Sequence, residues 1–451
     1  MQLFMPDNVK MIIQRLQEAG YEAYAVGGCV RDSYLGKTPH DWDITTSALP
    51  LEVKSLFRRT IDVGIQHGTV KIMIGDEGYE VTTYRIDGEY EDNRHPKEVI
   101  FTKSLEEDLK RRDFTINAMA YSEKTGIIDL FGGIEDLKIG LIRAVGDPYE
   151  RFSEDALRIL RALRFSAKFS FVIETKTRQA IEELAPTLSK ISAERIREEL
   201  EKMLMTENPD RLCWAYELGV SKVIFPEWDD MMVCGQNTPH HIYSAGYHTL
   251  RVIESLRDRY GQEPLYDQRI LRIAGLLHDI AKPIMKTTDA NGVDHFKGHP
   301  EKGVDLAKVI LRRLKYDNDT INKVCVLIKY HDVRPILDLK HVRKVVVKVG
   351  VENFPLLIKL KWADLEGQSR YERKEKENSI IELERLYQEI MDAKDCLSIK
   401  DLAVNGRDLI ETGIPAGPEL GNILDKMLET VLEDPTRNTR EELMKLLDVN
   451  K

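Results

Sequence analysis

Two glycines followed by two closely spaced carboxylates form the most chemically suggestive pattern near the start of the chain. Gly27 and Gly28 precede, after a short connection, the segment Asp41-Trp42-Asp43, which runs into an incipient β-branched strand. Glycines permit the close backbone approach that a polyphosphate requires, and alternate residues of a strand project to one face. The pattern predicts a nucleoside triphosphate site in which Asp41 and Asp43 hold a pair of Mg²⁺ ions. A glycine turn beside a solvated acidic loop is the alternative, because each pattern alone is common.

Two further segments favour the triphosphate site over the acidic loop. Residues 111–120 read RRDFTINAMA, and residues 154–165 read EDALRILRALRF. Together with the glycine and aspartate pattern, these segments resemble in content and order the class II tRNA nucleotidyltransferases and bacterial poly(A) polymerases. The resemblance covers the first half of the chain and resumes near the C-terminus, at residues 405–409 and 415–421.

The resemblance implies roles for residues of the N-terminal part. Asp41 and Asp43 would be the catalytic metal ligands, and Gly28 with Arg31 would contact the triphosphate. The polar segment 87–96 would be a mobile loop that helps to select the incoming nucleotide.

Other charged residues near this pattern are candidates because of their own chemistry. Arg111 and Arg112 are predicted to open a helix, where a guanidinium fork would bind the nucleotide and stabilise phosphate charge in the transition state. Ordinary surface arginines are the alternative, and Asp113 is equally well explained as a helix cap. Glu80, on a predicted strand over 79–85, is a candidate third carboxylate.

The segment after residue 154 offers a way to choose nucleotides without a nucleic-acid template. Asp155, Arg158 and Arg161 are spaced by three, which predicts one face of a helix. Asp155 and Arg158 together can imitate a Watson-Crick edge that accepts cytosine or adenine, because a mismatched base leaves buried polar groups unpaired. Arg161 and Arg164 would orient that pair or contact phosphate. A solvated helix with an i,i+3 salt bridge, worth only about 0.2–0.5 kcal/mol, is the alternative.

A second constellation of metal-ligand residues lies in the middle of the chain. Its members recur on predicted helices in the order His248, His278, Asp279, His299, His331 and Asp364. This order resembles the HD phosphohydrolase superfamily in its potentially binuclear form, and Asp332 is a weaker alternative ligand. Imidazole and carboxylate ligands suit a divalent transition metal such as Mn, Ni, Co or Fe. A helical scaffold for RNA, with histidines that are merely hydrogen-bonded, is the alternative.

Hydrophobic periodicity divides the chain into a mixed head and a helical remainder. Strands are predicted at 23–26, 43–46, 69–74 and 79–85, after a helix over 8–19 that ends at Gly20; beyond about residue 130 helical periodicity dominates. The predicted fold is an α+β nucleotidyltransferase head with a small polymerase-β-like sheet, followed by helical domains. The expected domains are the head at residues 1–140 and a neck for base recognition and RNA binding at 141–225. An HD-type metal-binding domain is expected at 226–375, and a tRNA-binding tail at 376–451.

Composition agrees with a multidomain enzyme that works inside the cell. The 451 residues carry a formal net charge of -10, so any RNA contact must use local basic faces. The five cysteines are scattered without a CxxC pair, which indicates reduced structural residues. Without a membrane-spanning apolar stretch or the pattern of a signal peptide, the sequence predicts a cytoplasmic protein with no membrane partner.

The sequence as a whole predicts template-independent addition of CCA to the 3′ end of tRNA from CTP and ATP, with release of pyrophosphate. A CC-adding enzyme, an A-adding enzyme and a poly(A) polymerase share the same motifs. An HD phosphohydrolase acting on phosphomonoesters or 2′,3′-cyclic phosphates is the alternative of another class. A helical pair is expected over 402–449. The basic stretch 340–348 is expected to be a solvated helix face, with contact to phosphates as the alternative.

Overall fold

The computed structural model describes residues 2–87 and 99–448, which form parts of two compact units, Met1–Pro226 and Glu227–Lys451. The predicted nucleotide-selecting loop, 87–96, lies outside the described residues from residue 88 onwards. All five cysteines are free, as predicted. Among the described residues, no helix is both long and apolar enough to cross a bilayer.

A mixed sheet organises the first unit. The strands of this unit are β1 (Ala23–Val26), β2 (Ile44–Thr46), β3 (Thr60–Gly64), β4 (Thr69–Ile74), β5 (Glu77–Thr83), β6 (Arg85–Asp87), β7 (Val99–Phe101), β8 (Met119–Ser122), β9 (Gly126–Asp129), β10 (Leu141–Ile142) and β11 (Val172–Ile173). Seven of them form one sheet in the order β3-β4-β5-β2-β1-β8-β9. Strands β2 and β5 are parallel, and the other neighbours in this sheet are antiparallel.

Helices cover this sheet and continue beyond it. They are α1 (Asp7–Glu18), α2 (Gly28–Tyr34), α3 (Pro50–Leu56), α4 (Leu105–Lys110), α5 (Gly133–Ile139), α6 (Pro148–Glu154), α7 (Leu157–Phe169), α8 (Thr175–Leu184), α9 (Ala193–Leu204), α10 (Leu212–Glu217) and α11 (Ser221–Ile224). Helix α1 buries its predicted apolar face, and Gly20 follows its C-cap with a φ of 93°. The core under the sheet contains Tyr24, Tyr84 and Leu109. The predicted fold class, an α+β head followed by helices, is confirmed.

In the described part of the second unit, up to residue 448, the elements are helices and one short hairpin. Its elements are α12 (Pro226–Val233), α13 (Ala245–Tyr260), α14 (Leu265–Leu277), α15 (Lys282–Met285), β12 (Thr287–Thr288), β13 (Asp294–His295), α16 (His299–Arg313), α17 (Asn318–Tyr330), α18 (Leu339–Val349), α19 (Phe354–Gly367), α20 (Arg373–Asp392), α21 (Gly406–Glu411), α22 (Pro418–Glu433) and α23 (Arg440–Asp448). Helices α13, α14, α16, α17 and α19 pack together. Their packing brings distant ligand residues to one place.

Several predicted elements differ from those observed. Arg111 and Arg112 do not open a helix: α4 starts at its cap Ser104 and ends at Lys110, so the arginines follow its C-terminus. The strand predicted over 79–85 is β5, and Arg85 begins the separate β6–β7 hairpin. The pair of helices expected over 402–449 is three helices, α21 to α23.

The basic stretch 340–348 is also different from the predicted solvated face. On α18, Arg343 is buried and its Nε donates to Asp395 at 2.5 Å, while Lys344 pairs with Glu433 at 2.9 Å. The apolar positions of α18 alone do not indicate this packing, because the partners come from segments 52 and 89 residues further along the chain.

Candidate active site and candidate metal centre

The glycine turn between β1 and α2 makes room for an arginine. Gly27 has φ 84° and ψ −129°, a backbone conformation that favours glycine. A Cβ added there would lie 2.9 Å from Nη1 of Arg112, and one added to Gly28 would lie 3.4 Å from Nη2 of Arg31. Gly27 therefore permits the Arg112 guanidinium to approach the turn that the sequence assigns to triphosphate.

The predicted metal carboxylates lie just before β2, where the strand is shorter than expected. Asp43 precedes β2 and its carbonyl accepts a hydrogen bond from the Val26 amide at 3.0 Å. Because Ile44 pairs with Val81 in the parallel register, Asp43 lies alongside Glu80 of β5. The structure thus places the candidate third carboxylate on the strand next to the aspartates.

The charge around Asp43 is predominantly negative. Although Asp43 keeps exposed surface, neighbouring protein atoms displace much of its water, and this burial raises the pKa of its carboxyl. Glu80 and Asp41 raise that pKa further, whereas Arg112 lowers it. Three carboxylates with one nearby guanidinium favour the arrival of a cation.

Asp108, which the sequence analysis missed, positions the two arginines. Its buried carboxylate accepts from Nε and Nη2 of Arg111 at 3.0 and 2.8 Å and from Thr45 at 3.0 Å. Nη2 of Arg112 lies 3.7 Å from the same carboxylate. Burial alone would raise the pKa of Asp108, but both arginines outweigh it and lower that pKa. The i,i+3 and i,i+4 spacing from Asp108 was the available sequence signal.

Arg31 is packed inside the first unit. It is 4% exposed, its Nη1 donates to Asn117, and its Nε donates to Asp32 at 2.8 Å. Its guanidinium also lies over the rings of Phe165 and Phe169. The structure therefore brings Arg31 close to Gly28, with other protein groups as its present partners.

Asp155 and Arg158, expected on one helix face, lie on either side of a helix boundary. Asp155 follows α6 in an extended conformation, and α7 begins only at Leu157. Nη1 and Nη2 of Arg195 donate to Asp155 at 3.2 and 2.7 Å. Arg158 instead donates to Glu154 at 2.5 Å and to the carbonyl of Arg111 at 2.9 Å. The one-helix prediction is wrong, and the alternative salt bridge between Asp155 and Arg158 is not formed.

Arg161 and Arg164 face other carboxylates of the first unit. Nε of Arg161 donates to Asp113 at 2.7 Å, and Nε of Arg164 donates to Glu199 at 2.5 Å. Burial alone would raise the pKa of Asp113, but Arg161 and Asn117 lower it to about 2. Asp113 also accepts from the Phe114 amide at 2.8 Å, but the cap of the following helical turn, Thr115–Asn117, is Phe114, so the prediction of Asp113 as a helix cap is wrong.

All six predicted ligands of the second constellation come together in the second unit. Five of them form two overlapping groups of three in which the ligand atoms lie within 4.8 Å of one another, namely His248, His278, Asp279 and Asp279, His299, His331. Asp279 belongs to both groups, as a bridging carboxylate would. Asp364 joins the first group, with its Oδ1 2.9 Å from Nε2 of His248.

Backbone carbonyls fix the ring orientation of all four histidines. The Nδ1 atoms donate to the carbonyls of Gly367, Gly275, Phe296 and Ile328, at 2.7–3.0 Å. Because a carbonyl only accepts, each Nδ1 carries a proton, and Nε2 is the ring nitrogen that faces the carboxylates. With Nδ1 occupied in this way, Nε2 is the atom through which each of the four rings could ligate a metal ion.

The charge of this centre is balanced by cations. Burial alone would lower the pKa of His278, but Asp279 and Asp364 raise it to about 10. Lys282, which the sequence analysis missed, lies 2.7 Å from Asp279. Asp332, the alternative ligand, contacts Arg334 at 3.5 Å and does not belong to either group of three.

Sequence profiles match three parts of the chain. A profile described as the Poly A polymerase head domain matches residues 23–143, which include the sheet, the glycine turn and the three carboxylates. One described as a probable RNA and SrmB-binding site of polymerase A matches 170–232, and one described as tRNA nucleotidyltransferase domain 2, putative, matches 303–447. The head domain with its carboxylates defines a nucleotidyltransferase.

Individual relatives show which nucleotidyltransferase family this is. The CCA-adding enzyme of Leuconostoc mesenteroides is 58% identical over 194 residues, which are 43% of this chain and 48% of that protein, so the match spans about half of the relative. The CCA-adding enzyme of Pediococcus pentosaceus is 34% identical over 99% of this chain and 98% of its own. The crystal structure of the Bacillus stearothermophilus CCA-adding enzyme in complex with CTP has a TM-score of 0.73 and 31% identity, covering 99% of this chain and 98% of that one. The chain belongs to the CCA-adding enzyme family.

Membership of this family implies the use of a divalent cation. The oxygen donors of Asp41, Asp43 and Glu80 fit a hard cation such as Mg²⁺. Ligand atoms of these three carboxylates do not all lie within 4.8 Å of one another. The arrangement therefore suits ions that one or two carboxylates share with a bound triphosphate, rather than a closed protein cage.

Proposed function

We propose that this chain adds CMP and AMP, without a template, to the 3′ end of tRNA, using CTP and ATP and releasing pyrophosphate. The observation that carries the proposal is the guanidinium of Arg112 at the Gly27 turn beside Asp43, within the head of a CCA-adding family member. This turn offers backbone approach, positive charge and carboxylates at one place, which is what nucleotidyl transfer to a hydroxyl requires.

Different residues of the head would bind the metal ions, stabilise the phosphate charge and position the arginines. Asp41 and Asp43 would hold Mg²⁺, which on binding lowers the pKa of the attacking 3′ hydroxyl and neutralises triphosphate charge. Arg112 faces the phosphates and stabilises charge as the α-phosphate is attacked in line and pyrophosphate leaves. Asp108 keeps Arg112 and Arg111 in place, since one buried carboxylate faces both guanidinium groups.

Base selection is assigned to the boundary between α6 and α7. Asp155 can accept from an exocyclic amine of cytosine or adenine, while Arg158 can donate to ring nitrogens or carbonyls. Arg195 fixes the carboxylate plane of Asp155 through two hydrogen bonds, so it acts as a positioning residue. Arg158 would exchange its bond to Glu154 for one to the base.

The four expected domains have different roles in the proposed reaction. Residues 1–140 would carry the chemistry, 141–225 base recognition, 226–375 the HD-type centre and 376–451 the outer part of tRNA. Since tRNA, CTP and ATP are cytoplasmic, we also place the reaction in the cytoplasm.

The test is incorporation of labelled CTP and ATP into tRNA that lacks its 3′ CCA. The wild type should add two C and then one A, and the double variant Asp41→Ala/Asp43→Ala should add neither. Asp76→Ala, which removes an exposed carboxylate in the β4–β5 turn, is the matched control and should behave as wild type. Addition of only C or only A, or a long A tract, would replace full CCA addition by one of its three rivals.

The second constellation supports a second candidate function, metal-dependent hydrolysis of phosphomonoesters or 2′,3′-cyclic phosphates. The observation that favours it is the shared position of Asp279 between two groups of imidazoles whose Nε2 atoms face it. Mn, Ni, Co or Fe suits these ligands. Hydrolysis of both substrate types should disappear in Asp279→Asn and persist in Asp41→Ala/Asp43→Ala; hydrolysis unchanged in Asp279→Asn would reject the assignment.

A further inference from the structure

Two adjoining cavities border the candidate metal centre, and phosphate chemistry explains only one of them. The first, of about 270 Å³, is lined by residues of the centre, including Asp279, by the cations Lys282, Lys297 and Arg334, and by the further carboxylates Asp294 and Asp332. A phosphoryl group placed there would lie beside ions held by the centre, and these cations would meet its free oxygens.

The second cavity, of about 290 Å³, adjoins the first. The two share a wall made of His331, Asp332, Arg334, Asp364 and Gln368. A group bound in the second cavity would therefore be next to His331 and Asp364 of the metal centre.

The second cavity has a different chemical character. Its apolar lining is formed by Val333, Pro335, Leu337, Leu365, Ile380 and Leu383. The cations Arg334, Lys361 and Lys376 are offset there by Asp332, Asp364, Glu372 and Glu375, so the apolar side chains are what distinguish this cavity from the first. An apolar pocket with a few fixed polar groups is typical of a site for a small organic group.

The shared wall is held by hydrogen bonds and is preformed. Nζ of Lys361 donates to the carbonyls of His331 and Val333, at 2.6 and 2.7 Å. Gln368 donates to Oδ2 of Asp364 at 2.8 Å and accepts from Lys376 at 2.9 Å. A ligand in this cavity thus meets a fixed surface, which lowers the entropic cost of binding.

We propose that the second cavity binds the alcohol half of a small phosphate ester, and that this half is an apolar ring of aryl to nucleoside size. This inference rests on the proposed hydrolase function for the position of the phosphoryl group at the metal centre. It assigns specificity to α19 and α20, which supply Leu365, Ile380 and Leu383.

The test compares the binding of phenylphosphonate and methylphosphonate to the full chain loaded with Mn²⁺, by titration calorimetry. Both compounds have a P–C bond that hydrolysis does not cleave, so binding is measured independently of catalysis. We expect phenylphosphonate to bind at least about tenfold more tightly. Ile380→Trp should remove this preference by filling the cavity, while Ile381→Trp, at a neighbouring 53% exposed position outside the lining, should keep it.

A second blocking variant covers the case in which Ile380→Trp does not fold. Ser379 is exposed and lines the same cavity, so Ser379→Trp should also remove the preference. Equal affinities in the wild type, no binding of either phosphonate, or a preference that survives in a folded blocking variant would overturn the inference. If the preference is observed but the protein hydrolyses no phenyl ester, the subsite stands and the hydrolase proposal fails.

Discussion

Replacing Gly27 by alanine tests whether the glycine turn exists to admit Arg112. The added Cβ would lie 2.9 Å from Nη1 of Arg112, whereas ordinary contact begins at 3.4 Å. The guanidinium must therefore retreat by about 0.5 Å, which is the tolerance within which catalytic groups must be held. Since a displacement of about 1 Å can cost about 100-fold in rate, we expect about a tenfold loss of nucleotide incorporation.

Backbone strain is a separate effect of the same substitution. At φ 84° an alanine costs roughly 1–3 kcal/mol of folding stability. Gly20→Ala provides a matched control, because Gly20 also has positive φ, 93°, but has nothing within 4 Å of an added Cβ. We expect Gly20→Ala to lower the free energy of unfolding in urea while the folded protein keeps its incorporation rate.

A double-mutant cycle isolates the contact with Arg112. Initial rates of labelled CMP incorporation into tRNA lacking CCA are compared for wild type, Gly27→Ala, Arg112→Ala and the double variant. Arg112→Ala removes the group that the new Cβ displaces, so adding Gly27→Ala to it should change the rate less than about twofold. The coupling free energy would then approach about 1.4 kcal/mol. If Gly27→Ala slows the Arg112→Ala protein as much as it slows the wild type, the reasoning is refuted.

Three further predictions concern the buried carboxylates. The pKa of Asp113 is lowered to about 2 in the folded protein. At pH values above the ordinary pKa of an aspartate, the ionised carboxylate therefore adds about 2 kcal/mol to the free energy of unfolding, and this contribution is lost as the pH falls towards 2. The difference in the free energy of unfolding between the wild type and Asp113→Asn, measured in urea, should decrease over that pH range. A difference that stays constant would contradict this prediction. Arg195→Ala should release Asp155 and raise UTP and GTP misincorporation relative to CTP and ATP about tenfold, so an unchanged ratio argues against positioning. Metal analysis after loading the Asp41→Ala/Asp43→Ala protein with Mn²⁺ should find two ions per chain, one when His248→Ala is added and none when Asp279→Asn is added; two ions with Asp279→Asn would exclude the bridge.

Patterns within short stretches of sequence predicted several strands and helices correctly. The alternating and β-branched runs located β1 and β4 with their observed bounds, and the periodicity of α1 with Gly20 located its end. The sequence did not indicate that Arg85 leaves the sheet for a separate hairpin. The sequence pattern also placed Arg111 and Arg112 at the start of a helix, whereas they follow the end of α4. A charged run is compatible with either end of a helix.

Contacts between distant segments account for most of what was missed. The side chain that pairs with Asp155 is Arg195, 40 positions later, and Arg161 donates to Asp113, 48 positions earlier. No periodicity reports such a pairing, since many arginines and carboxylates in this charged chain are possible partners. Spacing by three was compatible with one helix, but the extended backbone at Asp155 separates it from α7.

The central constellation was predictable for a different physical reason. Its ligands stand at or near helix ends: His278 and His331 directly follow α14 and α17, His299 opens α16, and His248 lies in the first turn of α13. At such ends a side chain reaches into a shared space without crossing the flank of its own helix, so the order of residues along the chain suffices to suggest the set. The order of the ligand residues along the chain does not indicate the second cavity. Its apolar lining from α19 and α20 cannot be distinguished in the sequence from ordinary core positions. Under the proposed subsite, substrate choice at this centre would depend on residues that only the packing of the two helices identifies.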